Sequence, residues 1–115
     1  MGQVWVAGEV LIDLIPEATG RKPIVGGGPA NTAKALAKLG IDTHFIDGIS
    51  SDAYGQMAKN ELKTAGLKLD YVKYSDKPTC LAVVSLSDSG SATYDFVIEN
   101  TATFDFTSEW LPNPH

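Results

Sequence analysis

Three consecutive glycines and a proline, Gly26 to Pro29, stand directly before a segment with helical periodicity, Ala30–Leu39. Pro29 suits the first turn of a helix because the N–H group that proline lacks has no partner there. Gly40 suits the position just after a helix, where φ is positive. The apolar residues of the segment are mostly small. The sequence therefore predicts a tight turn into a helix that lies close against a sheet.

Apolar segments on both sides of this turn predict alternating strands and helices. The near-continuous segment Val4–Ile15, interrupted by Gly8, is typical of a strand buried on both faces. Pro16–Pro23 predicts a loop or turn. After the first helix we expect a strand at 43–49, a helix at 53–65 capped by Ser51 or Asp52, and a short strand at 69–74. This order is typical of an α/β protein with a parallel sheet.

From Thr79 the apolar pattern changes to a period of two residues. Segments Thr79–Leu86 and Ser91–Ile98, joined by a short polar loop that contains one glycine, predict a β-hairpin. Since no helix connects these two strands, we expect them to be antiparallel and to stand apart from the parallel sheet.

The composition describes a folded, acidic chain. Its 115 residues are 43% hydrophobic and 20% charged, which is enough for one small domain. A net charge of −5 disfavours nucleic acid as a partner. No signal peptide is visible, and no apolar run approaches the roughly 20 residues of a membrane helix. The single cysteine, Cys80, excludes an internal disulfide and fits a reducing compartment. We therefore expect a cytoplasmic protein that contacts no membrane.

The glycine turn is the first candidate binding site. Backbone N–H groups at a helix start, with glycines that allow close approach, form a cradle for an anion or a hydroxyl group. The dinucleotide fingerprint needs a third glycine where Asn31 stands, and the Gly-Lys-Ser/Thr of a Walker A loop is missing. A tight turn without a ligand remains an equal alternative.

Two polar side chains near this turn are further candidates. Asp13 lies within an apolar strand, and an ionised carboxylate accepts hydrogen bonds from hydroxyl groups, of which a sugar offers several. An outward-pointing Asp13 is the alternative. The amide of Asn31 both donates and accepts, so it can bind a vicinal diol, whereas a helix-capping role is equally compatible with the residue type.

The sequence predicts neither a metal site nor a catalytic residue. Asp42 and Asp47 flank His44, and we interpret the three as scattered surface residues. No nucleophile elbow is present, and Cys80 lies in an apolar segment, which predicts an inert, buried thiol.

Five segments together resemble a known family. They are GEVLIDL (8–14), VGGGPANTAKALAKLG (25–40), SDAYG (51–55), PTCLAVVSL (78–86) and TYDFVIENTATF (93–104). In these segments the sequence is similar to the N-terminal part of the PfkB/ribokinase family of carbohydrate kinases, and most closely to its bacterial fructokinase-like branch.

The resemblance implies a ribokinase-like, Rossmann-like α/β fold: a parallel sheet with flanking helices, plus a lid of β-strands. It implies a sugar site made by Asp13, Gly26, Gly27, Gly28 and Asn31, with Gly26 and Gly27 as a hinge. The lid would comprise about residues 14–25 and 79–98, with Leu81, Val83 and Phe96 expected on one side of it. Closing such a lid excludes water from the reaction.

The resemblance also implies what the chain lacks. Family members carry a second signature with a glycine-rich anion hole and the catalytic aspartate, and no such DTxGAGD-like run occurs here. Ser50 stands where the family commonly has glycine, and Ile98 to Asn100 lacks an arginine found in some members. ATP and Mg²⁺ would then belong to a longer enzyme, and residues 1–115 would be an inactive N-terminal part.

A stand-alone, non-catalytic sugar-binding or regulatory module is the alternative function. In either case the partner is a small-molecule sugar. Because only two flanking helices are predicted, one face and one edge of the sheet lack cover, so we also expect a homo-oligomer formed through the lid or the open sheet.

Overall fold

The computed structural model describes residues 2–112 as a helix-bearing body and a separate sheet. In chain order the elements are β1 (Val4–Ala7), β2 (Leu11–Glu17), β3 (Gly20–Gly26), α1 (Gly28–Lys38), β4 (Thr43–Ile46), β5 (Gly48–Ser50), α2 (Ala53–Thr64), β6 (Lys73–Ser75), β7 (Leu81–Leu86) and β8 (Ala92–Val97). The parallel pairs β1–β4 and β5–β6, joined where β4 runs into β5 through Asp47, form with α1 and α2 what we call the body. The other strands form a sheet in the order β3–β2–β7–β8, which we call the outer sheet.

Helix α1, Gly28–Lys38, starts two residues before and ends one residue before the predicted segment 30–39, and its flanking glycines and proline have the predicted roles. Gly27 is its N-cap with φ 106°, Pro29 lies in the first turn, and Gly40 follows the helix with φ 86°. Ala30 and Ala33 are fully buried. Their small side chains let α1 pack directly against β1 and β4.

Helix α2 is capped by Asp52 and not by Ser51. The Gly55 backbone N–H donates to Asp52 Oδ1 over 2.8 Å, which satisfies one of the four amides that a helix start leaves without an internal partner. Ala58 and Leu62 form the buried face of α2, which packs on β5.

The segment Val4–Ile15, predicted as one strand, is two strands in two different sheets. β1 pairs with β4 in the body, whereas β2 lies in the outer sheet. The chain changes direction at Gly8, which has φ 152° and lies so close to the ring of Pro29 that a Cβ would collide with it. The packing of α1 against this bend therefore divides the apolar segment.

The loop predicted at Pro16–Pro23 is wrong, because most of it is paired strand. β2 and β3 pair antiparallel from Leu11 opposite Gly26 to Glu17 opposite Gly20. Pro23 is tolerated because β3 is the edge of the outer sheet. Pro16 lies beyond Ile12–Leu14, the part of β2 that pairs with β7, so its missing N–H removes no bond to that strand.

The remaining strands differ from the prediction in two places. The strand expected at 43–49 is two strands in two different sheets, β4 and β5, which are separated by Asp47. The strand expected at 69–74 begins only at Lys73, because Val72 N donates to Leu69 O over 3.1 Å in a turn. The hairpin is confirmed: β7 and β8 pair antiparallel from Leu81 opposite Val97 to Leu86 opposite Ala92.

His44 and Asp47, interpreted from the sequence as surface residues, are 4% and 0% exposed. His44 is held by a carboxylate and an aromatic ring: its Nδ1 lies 2.8 Å from Asp70 Oδ1, and its ring stacks on Tyr71 with centroids 4.9 Å apart. Only Asp42 of the three is partly exposed. The surface interpretation was wrong because His44 Nδ1 and the Asp47 carboxylate have specific partners that the sequence does not reveal.

One apolar core spans the body and the outer sheet. Its fully buried members are Val10, Ile12, Val25, Ala30, Ala33, Phe45, Ile49, Ala58, Leu62, Leu67 and Val72. Cys80 is buried as predicted, and burial raises the pKa of its thiol. Between residues 2 and 112, neither helix has the length and hydrophobicity needed to cross a bilayer.

Candidate functional site

The glycine turn lies where β3 leaves the outer sheet and α1 starts in the body. Register places Leu11 of β2 opposite Gly26 and Asp13 opposite Ile24. The Asp13 carboxylate therefore lies beside the turn, packed so closely on Gly26 that a Cβ there would collide with Asp13 Oδ2. Only glycine at position 26 leaves room for the carboxylate in this place.

Asp13 is half-buried, and burial raises the pKa of its carboxyl group. Among residues 2–112 none donates a hydrogen bond to this carboxylate. A carboxylate that is partly withdrawn from water without a protein donor has its acceptor sites open to hydroxyl groups. The outward-pointing alternative does not describe Asp13, because its side chain packs against the glycine turn.

Gly27 and Gly28 shape the start of α1. A Cβ at Gly27 would lie 2.6 Å from Glu9 O, so the chain that enters the outer sheet at Glu9 touches the chain that leaves it at Gly27. A Cβ at Gly28 would meet nothing within 4 Å. The first amides of α1 lack helical partners and carry the positive end of the helix dipole, which gives the turn its capacity to bind electronegative groups.

Asn31 does not cap α1, so that alternative is excluded. Gly27 holds the cap position, and no side chain completes it. Asn31 lies in the first turn of α1, and its backbone N–H donates to Gly27 O over 2.9 Å. Its side chain is exposed, so an amide donor and acceptor stand at the open end of the helix.

The outer sheet presents different residues on its two faces. Asp13 of β2 pairs with Ala82 of β7, and Ala82 pairs with Phe96 of β8, so these three side chains share one face, which we call the Asp13 face. Phe96 is 57% exposed there. Its ring stacks on that of Tyr94, with centroids 6.1 Å apart.

Leu81 and Val83 lie on the opposite face, which corrects the expectation that they share a side with Phe96. Each is one residue away from Ala82, and neighbouring residues of a strand point to opposite faces. Their pairs across β2 are Ile12 and Leu14. Leu81 packs with Leu14 against the core. Neither Leu81 nor Val83 lines the Asp13 face.

Asp47, predicted to lie at the surface, is fully buried. Its carboxylate, fully buried at the junction of β4 and β5, accepts hydrogen bonds from Val10 N (3.2 Å), Thr103 Oγ1 (2.5 Å) and Phe104 N (2.6 Å). Burial raises its pKa to about 6, although these hydrogen bonds oppose the shift. The available signal was an acid placed between the apolar residues Ile46 and Ile49 of a predicted strand.

Across the described part of the chain, no three His, Cys, Asp or Glu side chains come together as metal ligands would. The site consists instead of one carboxylate, a glycine turn, an exposed amide and an aromatic face. These groups can bind a neutral polyhydroxylated molecule, with the carboxylate accepting from hydroxyls and the apolar face covering carbon-bound hydrogens.

Known proteins of similar sequence include bacterial fructokinases. The fructokinase of Escherichia coli is 34% identical over 112 residues, which are 96% of this chain and 36% of that protein. The fructokinase of Rhizobium leguminosarum bv. trifolii is 38% identical over 115 residues, 96% of this chain and 35% of that protein. The chain thus spans about a third of the length of these relatives.

Solved structures show the same fold. A fructokinase from Xylella fastidiosa with bound ATP superposes with a TM-score of 0.86 at 29% identity, over 96% of this chain and 34% of that one. A fructokinase from Vibrio cholerae O395 with bound fructose, ADP and calcium gives a TM-score of 0.82 at 24% identity, over 98% of this chain and 37% of that one. The fold of this chain, an α/β body with a separate sheet beside a glycine turn, is therefore that of the ribokinase-fold sugar kinases.

A match to a family model identifies the family within that class. The model of the pfkB family carbohydrate kinases matches residues 1–115, and the chain belongs to this family.

Proposed function

We propose that this chain provides the sugar-binding elements and the lid of an ATP-dependent kinase for fructose or a related sugar. The observation that carries the proposal is the carboxylate of Asp13, which packs on Gly26 and has no donor among the described residues. Family membership and the fructokinase relatives support the choice of substrate class.

In this proposal each part of the site has a distinct task. Asp13 accepts hydrogen bonds from two sugar hydroxyls, and the Asn31 amide binds a third. Gly26, Gly27 and Gly28 let the sugar approach the backbone. The outer sheet, including 14–25 and 79–98, acts as the lid, with Phe96 of the Asp13 face covering the sugar. Covering the sugar keeps water away from the phosphoryl group, so that ATP is not hydrolysed.

We assign neither the catalytic base nor the ATP and Mg²⁺ contacts to residues of this chain. Phosphoryl transfer requires in-line positioning, a metal ion and a group that orients the nucleophile. The described residues form no metal-ligand cluster, and the sequence has no second glycine-rich signature. On this proposal the 115-residue chain alone binds sugar without phosphorylating it.

The test is steady-state kinetics of the protein encoded by the full reading frame that contains this chain. We expect Asp13→Ala to raise the KM for the sugar and to lower kcat, with little change in the KM for ATP. Hydrogen bonds to a charged group contribute about 1.5–3 kcal/mol, so kcat/KM should fall about 10- to 150-fold.

Asp76→Asn, at an exposed position between β6 and β7 and outside the proposed lid, is the matched control and should leave all constants unchanged. Unchanged sugar kinetics in a folded Asp13→Ala protein would exclude Asp13 from the sugar site. A protein that binds sugar but shows no ADP release would instead favour a stand-alone binding module.

A further inference from the structure

Asp47 lies at the place where the chain passes between the body and the outer sheet. The chain enters the outer sheet at residues 8–10 and leaves it for the last time after β8. Asp47 belongs to the body, yet its carboxylate bonds to Val10 on the entering segment and to Thr103 and Phe104 on the returning one. One side chain thus holds the first and the last connection of the outer sheet.

The composition of this contact distinguishes it from ordinary core packing. A fully buried carboxylate is costly unless donors satisfy it. All of its hydrogen-bond donors here are neutral, and the three longer-range ones lie on the two connecting segments. A small apolar residue would fill the same place without the cost of burying a carboxylate. It would accept no hydrogen bonds, however, and so would not hold the two connecting segments in a defined direction.

Gly48, the residue after Asp47, shows that the returning segment packs closely against the body. Gly48 approaches the backbone so tightly that a Cβ would collide with Ala102 O. The segment then turns sharply, with Phe104 at φ 61°. Asp105 accepts from Ser75 Oγ (2.7 Å) and Lys77 Nζ (2.9 Å), which ties the return to the segment that leads into β7.

We infer that Asp47 is a positioning residue that sets the orientation of the outer sheet relative to the body. Val10 directly precedes β2 and stands three residues before Asp13. Fixing the Val10 amide therefore fixes where the Asp13 carboxylate meets the glycine turn. The consequence for sugar binding rests on the proposed function, whereas the orientation itself does not.

Residual dipolar couplings of the isotope-labelled 115-residue chain measure this orientation directly. In the wild type we expect one alignment tensor to fit both the body and the outer sheet. In Asp47→Asn an amide nitrogen replaces one acceptor oxygen and faces a donor. Each part should then still fit its own tensor, but the two tensors should differ.

Asp70→Asn is the matched control, because Asp70 contacts His44 within the body and none of the connecting segments. This variant should keep a single tensor even if it is less stable. A single, wild-type tensor in folded Asp47→Asn would overturn the inference. Should Asp47→Asn fail to fold, Thr103→Val, which removes one donor and leaves the carboxylate, must show separate tensors, and a single tensor there would equally overturn it.

Fructose binding by the same proteins separates the two proposals. We expect Asp47→Asn to weaken fructose binding about tenfold and Asp70→Asn to leave it unchanged. If the wild-type chain binds no fructose while the tensors behave as expected, the proposed function fails and the positioning role stands. If fructose binds equally well to wild type and to an Asp47→Asn protein with wild-type orientation, the positioning role fails and the proposed function stands.

Discussion

At the scale of single residues, the site depends on one close contact, between Gly26 and the carboxylate of Asp13. The glycine is required here for space and not for a positive φ, since a Cβ would overlap Asp13 Oδ2. The two glycines that follow are not equivalent to it. Gly27 has φ 106°, and a Cβ there would collide with Glu9 O, whereas a Cβ at Gly28 would enter open space.

This difference predicts opposite outcomes for two glycine-to-alanine changes. Gly26→Ala should displace the Asp13 carboxylate, lower stability by about 1–3 kcal/mol through overpacking, and abolish most of the sugar affinity. Gly28→Ala should leave the Asp13 carboxylate in place and stability nearly unchanged, because a Cβ there meets no protein atom. Urea unfolding and a fructose-binding titration measure the two effects, and equal behaviour of the two variants would contradict the packing argument.

Asp47 predicts a pH dependence of stability. Its pKa is about 6 in the fold against an ordinary 3.8, so the folded state binds the proton more tightly than the unfolded state. The stabilisation from this proton is fully present below about pH 4 and is lost as the pH rises through about 6. The loss amounts to about 3 kcal/mol.

Other carboxylates titrate in the same range, so the effect must be isolated by difference. The free energy of unfolding of the wild type minus that of Asp47→Asn should decrease between about pH 4 and about pH 6. A difference that stays constant, or that increases with pH, would show that burial does not raise the pKa of Asp47.

The sequence predicts only those parts of the candidate site that a local pattern of residues marks. The glycines, Asn31 and the acid within an apolar strand are visible in the sequence, and family resemblance brings them together. The faces of the outer sheet were not visible in this way, because they depend on which residue of β2 lies opposite which residue of β7. The role of Asp47 depends on a residue 56 positions later, Thr103, and no local pattern records such a contact.

At the scale of elements, the two helices follow from their local signals, and the strands follow only in part. Proline at the start, glycine after the end and an aspartate cap are local features, and each was confirmed. The β2–β3 hairpin was mistaken for a loop because its prolines and polar residues are turn formers. Proline is tolerated in β3 because β3 is an edge strand. Whether a strand lies at an edge depends on the assembled sheet and not on its own sequence.

The cap of α2 also connects elements, since Asp52 accepts from Thr79 N (2.9 Å) and Thr79 Oγ1 (2.5 Å) just before β7. Asp52→Ala should therefore lower stability by at least the roughly 1–2 kcal/mol of a lost cap. Ser51→Ala, at an exposed neighbour, is the control and should change stability little. Equal free energies of unfolding for the two variants would contradict the assignment of Asp52 as the cap.

At the scale of the whole molecule, the chain exposes a large apolar surface at one edge of the outer sheet. Every residue of β8 is exposed, including Tyr94 and Phe96, and β8 has a partner strand on only one side. Exposed edge strands and apolar patches of this kind favour association. We expect the 115-residue chain to self-associate at micromolar concentration in a light-scattering measurement, and Phe96→Ser to reduce that association. A monomer of 12.2 kDa with a cooperative melt would contradict this expectation.

The most direct measurement of the central claim is a fructose titration of the ¹⁵N-labelled chain, followed by amide chemical shifts. We expect saturable shifts confined to Asp13, the glycine turn at 26–28, Asn31 and the Asp13 face around Phe96. The same titration of Asp13→Asn, which keeps the size of the side chain and removes its charge, should lose them. Shifts that persist unchanged in Asp13→Asn, or no saturable shifts in the wild-type chain, would contradict the claim that this carboxylate and its glycine turn bind a sugar.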